Sequence, residues 1–447
     1  MTKTDNPQDL LAHLIAAARA AGADAADALI VESTAAGVSY RLGNLEDVER
    51  SESRHLGLRV FVGQRVAFVS SSDLAREAVD GLPERAVAMA RLAPEDPFAG
   101  LAPRDLLATQ ISDLDLEDTA EPTTETLIAR AKDIEAAAMA VPGVTNSEGG
   151  GASFGRNAIA LATSEGFFGR YAATSSSLGV AVLAGEGTAM ERDYDGVSAR
   201  HASDLEPVGV VGRRAGERTV ARLNPRKAKS AALPVVFDPR VAGSLLGHFV
   251  GAISGNAIAR GVSFLKDRLG AEVFAPGITI VDDPHRRRGL RSKPFDGEGV
   301  RNRCQNLIDR GVLTSWLLDC ASARQLGLTT TGHAARGTGG PPTPAPTNLY
   351  MQAGVADRAQ LISDIKDGLY VTELMGMGVN GVTGDYSRGA SGFWIEKGEI
   401  LYPVAGVTIA GNLKDMFRQM TPASDLEFRY GTNAPTLRVE GMTIAGA

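Results

Sequence analysis

The stretch Gly368-Leu-Tyr-Val-Thr-Glu-Leu-Met-Gly-Met-Gly-Val-Asn-Gly-Val-Thr-Gly-Asp-Tyr-Ser-Arg-Gly-Ala-Ser-Gly-Phe-Trp-Ile-Glu396 decides the fold class. Its first part, Leu369 to Leu374, reads as a strand, and Gly376-Met-Gly-Val-Asn-Gly381 then shows the spacing GxGxxG. That spacing serves a dinucleotide only where a helix starts at the glycines and turns its amide groups on the pyrophosphate. Here Val382-Thr-Gly-Asp-Tyr-Ser-Arg-Gly-Ala-Ser-Gly392 follows, which is no helix start. The doubly wound dinucleotide fold is therefore set aside. Gly376 to Gly392 reads as glycine-rich loops, and the C-terminal part otherwise reads mostly as hairpins, closing with Pro435-Thr-Leu-Arg-Val439. Mostly antiparallel sheets are expected there.

Upstream, Leu233 to Phe237 reads as a strand, and a long helix is predicted from Pro239 through Ala259. Val241 to Ala259 carries no charge, but Ser244, His248, Ser254, Asn256 and several glycines make it a poor membrane span. A buried helix of small residues is the better reading. Further back, Leu10, Leu11, Leu14, Ile15 and Ala18 fall at helical spacing, with Gly22 as the stop. Short β-branched runs follow between Ala28 and Ser72, then a helix over Leu74 to Leu92. Helices over Glu125 to Ala140 and Pro207 to Leu223 flank a second strand-rich stretch, Gly143 to Ser198. The fold class is α+β, an N-terminal α+β part followed by a β-rich C-terminal domain. Units are expected at 1–95, 96–225 and 226–447, since 447 residues exceed one ordinary core. The Gly- and Pro-rich run Gly337 to Thr347 reads as a mobile surface connector.

Glycine is abundant, at 51 residues, and aromatics make up only 5%, so many short strands with tight connections are expected. Acidic residues outnumber basic ones, 53 to 46, for a formal charge of -7, which does not fit a partner bound through phosphates. The one basic run, Arg286-Arg287-Arg288, has no aromatics between its charges and reads as a solvated loop. Cys304 and Cys320 form no CxxC pair and no disulfide framework. The polar start, Met1 to Pro7, has no apolar signal region, so a cytoplasmic protein away from membranes is expected.

Candidate chemistry is sparse. Ser387, Asp385 and His333 supply the residue types of a hydrolytic triad, but Ser387 lacks the GxSxG elbow. A zincin-type metal site needs two histidines on one helical face with a glutamate beside the first. No two of the six histidines stand at that spacing, and His248 has no ligand partner near it in sequence. A hydrogen-bonded core or interface histidine is the expected role of His248.

The Gly368 to Glu396 stretch resembles the signature of the PmbA/TldE branch of the TldD/PmbA family, historically called modulators of DNA gyrase. Tyr402-Pro-Val404 with Val407-Thr-Ile-Ala-Gly-Asn-Leu-Lys-Asp-Met-Phe417 is similar too. So are Pro294-Phe-Asp-Gly-Glu-Gly-Val300, Trp316-Leu-Leu318 with Ser322-Ala-Arg-Gln-Leu-Gly-Leu328, and Leu246-Gly-His-Phe-Val-Gly-Ala-Ile-Ser-Gly255. A weaker likeness around Leu42 to Leu74 extends the resemblance over nearly the whole chain.

The resemblance implies a TldD/PmbA-type fold and a place in a cytosolic metallopeptidase that trims or degrades peptides. In that family the TldD branch binds zinc on an HExxxH helix, helped by a cysteine near its C-terminus. Matching that helix by its leucine pairs puts its first histidine at Gly247, its glutamate at His248 and its second histidine at Ala252. No cysteine follows Cys320. The implied reading is a subunit without metal or cofactor of its own, unable to hydrolyse peptides alone because no metal-bound water is generated. Zinc is expected on a TldD-type partner. Small residues along this helix (Gly243, Ser244, Gly247, Gly251, Ala252, Gly255) would let another chain pack closely. Gly376, Gly378, Asn380, Asp385, Tyr386, Ser387 and Arg388 are the candidate contacts to an extended peptide or to the partner. A homodimer in the partner's absence, and a stand-alone regulator that binds peptides or proteins, are the alternatives.

Overall fold

The computed structural model describes residues 6–446. Most of the polar start read above, Met1 to Asp5, lies outside them. The N-terminal half builds one antiparallel sheet in the order β3-β2-β1-β4-β5-β6. Its strands are β1 (Ala25–Arg41), β2 (Asn44–Val62), β3 (Arg65–Ser71), β4 (Val144–Thr163), β5 (Phe168–Ala184) and β6 (Glu191–Ala199). The expectation of short strands fails here, since β1 runs 17 residues and β2 runs 19. Leu42 and Gly43, at φ 47° and 84°, turn one into the other, as a tight hairpin with a right-handed twist requires. The outer half of β2, Asn44 to Ser53, is exposed throughout, so no apolar alternation marks it as strand. Backbone pairing with β1 holds it in register from Ala25↔Phe61 to Arg41↔Asn44.

Alternation along β1 sorts the two faces of the sheet. Ala26, Ala28 and Ile30 meet the helices α1 (Pro7–Ala20), α2 (Arg76–Asp80) and α3 (Leu82–Leu92). Farther along the same face, Val38 meets α4 (Thr124–Met139) and α5 (Val208–Ala221). The predicted helix over Leu74 to Leu92 is broken at Gly81. Leu29 and Val31 point the other way and pack with Phe295, Val300 and Cys320 of the C-terminal half.

That half contains β7 (Ala231–Phe237), α6 (Pro239–Ile253), α7 (Gly255–Ala259), β8 (Ile280–Asp283), β9 (Gln305–Asp309) and β10 (Val312–Leu313). There follow α8 (Cys320–Gln325), β11 (Ala334–Ala335), β12 (Thr343–Pro344), β13 (Asn348–Met351) and α9 (Arg358–Ile362). It closes with β14 (Asp367–Val379), β15 (Asp385–Glu396), β16 (Glu399–Asn412), α10 (Leu413–Arg418), β17 (Met420–Pro422), β18 (Thr432–Asn433) and β19 (Leu437–Ala445). One sheet runs β16-β15-β14-β7-β19-β17, with β16 and β19 also paired so that it curls back on itself. A second runs β10-β9-β8-β13-β18, and β11 pairs with β12. The pairs β7–β14 and β13–β18 are parallel. Phe274 stacks on Phe417 at 4.4 Å, and Phe249 of α6 meets Phe274 edge-on at 5.2 Å, which centres the core.

The single helix predicted through Ala259 is two. Ser254 leaves the helix at ψ 128°, because the backbone there pairs with Leu317: Gly255 donates to the Leu317 carbonyl and Leu317 to that of Ile253. No helix among the described residues is long and apolar enough to cross a membrane. The segment after β11 is no free connector. A β-carbon at Gly57 would lie 2.3 Å from the Thr338 carbonyl oxygen, so this loop lies flat on β2, and Thr347 is buried against Asp282. Nor is the basic run simply solvated. Arg287 and Arg288 pair with Asp115, Arg288 also with Asp204, and Arg286 covers the Phe428 ring at 3.4 Å. None of these partners is close in sequence.

Candidate functional site

The first helix of the split pair begins where Asp238 caps it, accepting from the Arg240 amide at 2.9 Å, with Pro239 in the first turn. Ala242, Leu245, Leu246, Phe249, Ala252 and Ile253 are buried at helical spacing and fix its inward face. Of the three positions matched above by the leucine pairs, Ala252 therefore lies in the core. Gly247 and Gly251, one turn apart, are exposed, and a β-carbon at either would meet nothing within 4 Å. Gly243 and Gly255 differ, since their open sides are closed by Thr432 and by Ser322 with Leu318. The open part of the small-residue stripe is thus one helical turn.

His248 stands between these faces, half-buried, its ring edge-on to that of Tyr386 at 5.8 Å. Its Nε2 has no hydrogen-bond partner, and neither has the Tyr386 hydroxyl. The expected hydrogen-bonded core histidine is therefore not what is found. Burial, and then the positive charge of Arg388, pull the imidazole below its ordinary value, which favours the neutral form. A divalent cation at these positions would meet one imidazole, a bare glycine and a methyl group, with a guanidinium nearby. Among the described residues no three His, Cys, Asp or Glu side chains are grouped to hold a metal. This donor set does not fit zinc.

The β14–β15 hairpin supplies the other wall. Asn380 and Asp385 close its turn: Asn380 donates its amide to the Asp385 carbonyl, and its side chain accepts from the Val382 and Thr383 amides. The Asp385 carboxylate accepts from Thr383 and Asn412, and the Thr383 hydroxyl first of all holds it below the usual carboxylate range. Gly376, at φ 75°, lies in the bulge between Met375 and Gly378. Gly378 lies so close to the Ser387 carbonyl that a β-carbon would stand 2.1 Å from it. Tyr386 is buried, Ser387 is exposed, and Arg388 reaches the Met375 carbonyl at 3.5 Å.

The edge of this hairpin is the feature that single residues do not reveal. On one side β14 pairs with β15 along its length, but on the other it pairs with β7 only from Leu369 to Val371. From Thr372 to Val379 no described strand covers that edge, which ends in exposed Met375 and Met377. An uncovered edge can take up an extended chain as an added strand.

The paper triad does not assemble. His333 belongs to the other sheet region, where it is buried between Asp282, at 3.2 Å, and the Thr331 hydroxyl, at 2.8 Å. Asp385 is engaged in its own turn. Sequence reasoning missed both this buried Asp–His pair and the exposed methionines, which lie far apart in the chain or inside an irregular strand.

Comparison with known proteins places this architecture. Family models described as the PmbA/TldA metallopeptidase domain 1, central domain and C-terminal domain match residues 26–90, 117–223 and 230–446. The chain is 41% identical to the metalloprotease PmbA of Escherichia coli O157:H7, over 95% of its own length and 92% of that protein's. A crystal structure described as a modulator of DNA gyrase, from Bacteroides thetaiotaomicron, superposes at a TM-score of 0.91 with 25% identity. It covers 99% of this chain and 100% of its own. TldE from Thermococcus kodakarensis shares the fold at a TM-score of 0.84 and 20% identity, over 98% of this chain and 100% of its own.

Proposed function

We propose, from the premise that this chain belongs to the PmbA/TldD metallopeptidase family, that it is the subunit that holds no metal in a two-subunit cytosolic peptidase. A TldD-type partner would carry the zinc and the hydrolytic chemistry. This chain would supply a docking surface at the open turn of α6 and an edge, β14, along which an extended peptide substrate can lie. The observation that carries the reading is the α6 donor set of Gly247, His248 and Ala252, with Arg388 close by. Without ligands there is no Lewis acid and no activated water on this chain. The relative's name, metalloprotease, pulls toward metal; the side chains present on α6 pull against it.

The test takes the full chain purified alone and co-expressed with a TldD-type protein. Alone it should carry well under one zinc per chain after dialysis and leave an unstructured peptide intact; the co-expressed pair should co-purify and cleave it. Stoichiometric zinc on the isolated chain, lost in His248→Ala together with activity, would overturn the reading. Failure to co-purify, with peptide binding by the isolated chain retained, would favour a stand-alone regulator.

A further inference from the structure

The cavity where the N-terminal sheet meets the C-terminal half plays no part in that reading. Its volume is about 160 Å³, and an apolar cavity of about 150 Å³ is enough to take up benzene. The inner wall is apolar, formed by Leu29 of β1, Leu161 of β4 and Phe295, all buried. The facing wall carries two cations, Lys293 and Arg336. The Lys293 ammonium donates to the Ala334 carbonyl at 3.0 Å, which leaves most of its donor capacity unused. Arg336, with a side chain 2% exposed, donates Nη1 to Asp27 at 2.7 Å, and its Nε has no hydrogen-bond partner.

Buried donors without acceptors are costly and point to a ligand that supplies them. Asp296 also lines the cavity, but its carboxylate already accepts from the amides of Glu298, Val300 and Ala334 at 2.9, 2.9 and 3.0 Å. Burial first, and then Glu298, push its carboxyl up to about 7, so it opposes a bound anion less than an ordinary carboxylate would. Two basic side chains on an otherwise mostly apolar lining select an acid. Burial first, against the opposing pull of Asp296 and Asp282, holds Lys293 below the usual lysine range, and an anion beside it would favour its charged form.

We propose that this cavity binds a small monocarboxylate whose apolar body is about the size of a benzene ring. The carboxylate meets Lys293 and Arg336, and the ring lies against Leu29, Leu161 and Phe295. Leu29 and Leu161 belong to the N-terminal sheet and Phe295, Lys293 and Arg336 to the C-terminal half, so an occupant touches both. The site is independent of whether the chain holds a metal or a partner.

The experiment follows thermal unfolding of the full chain, and saturation-transfer NMR of the ligand, with benzoate, benzamide and benzylamine as probes. Benzoate at ten times its dissociation constant should raise the Tm by about 1–2 °C, while the neutral and cationic analogues leave it unchanged. Lys293→Met removes one of the two carboxylate partners and Val31→Phe fills part of the cavity; each should abolish the response to benzoate. Saturation transfer to benzoate but not benzamide decides the matter on the unsubstituted chain if either variant fails to fold. Equal responses to benzoate and benzamide, no response to benzoate, or a response that survives both variants would overturn the proposal.

Discussion

At the scale of single residues, His248 carries the most information. Its ring fills space beside Tyr386, yet its Nε2 has no partner, and burial first and then Arg388 discourage a proton. The sign of the resulting pH dependence is fixed. In the unfolded chain the imidazole titrates near its ordinary value of about 6.5, and in the fold it titrates lower. As pH falls through that interval the unfolded state binds the proton first, so the contribution of His248 to stability is present above about pH 6.5 and lost below it. His248→Phe keeps a ring and removes the titration. Urea unfolding of both proteins at about pH 7 and pH 5 should show the smaller acid-side loss in the variant, with stability at pH 7 equal or higher. Identical losses in the two would mean that the histidine is not held neutral. The sequence showed that the ligand pattern is absent here; it did not show the missing hydrogen bond. That depends on Tyr386 and Arg388, far away in the chain.

At the scale of elements, the sequence marked most helices and strands where periodicity is local, as at α1, α4, α5 and β7. It failed where partners override propensity. The outer half of β2 is charged and exposed and becomes strand only because β1 pairs with it. The uncharged helix splits because Leu317 pairs with the backbone at Ser254. Within α6, Gly247 and Gly251 are the glycines that face open space. Glycine inside a helix costs about 1 kcal/mol relative to alanine, so an exposed pair has no evident use to the isolated chain. Gly251→Ala should therefore stabilise the isolated chain by up to about 1 kcal/mol in urea unfolding. Gly251→Leu should leave the isolated chain folded and prevent co-purification with a TldD-type partner. If the leucine variant still co-purifies in full yield, the partner docks elsewhere.

At the scale of the whole molecule, the two halves are joined by charges that no spacing in the sequence could reveal. Asp27 is on β1, Arg59 on β2, Glu298 follows Phe295, and Arg336 follows β11; all four side chains are at most 5% exposed. Asp27 accepts from Arg59 Nε at 2.9 Å and from Arg336 Nη1 at 2.7 Å, and Arg59 lies 3.6 Å from Glu298. Burial alone would push the Asp27 carboxyl up, but Arg336 and Arg59 together hold it below the usual carboxylate range. Its share of stability is thus present above the ordinary Asp value and is lost as pH falls through the depressed one. Arg336→Met removes one partner and leaves the others buried, a change that costs about 3–5 kcal/mol. Because Arg336 leads into the loop that lies flat on β2, the damage should concentrate at this junction. Hydrogen exchange of the variant should speed up over residues 336–347 and in β2 around Gly57, while the core around Phe249, Phe274 and Phe417 keeps its protection. Adding Asp27→Asn should recover part of the loss, since Arg59 then no longer faces two carboxylates, Asp27 and Glu298, alone. Uniform deprotection of the whole chain in the single variant would show instead that the two halves unfold as one unit and that the junction is no separate seam.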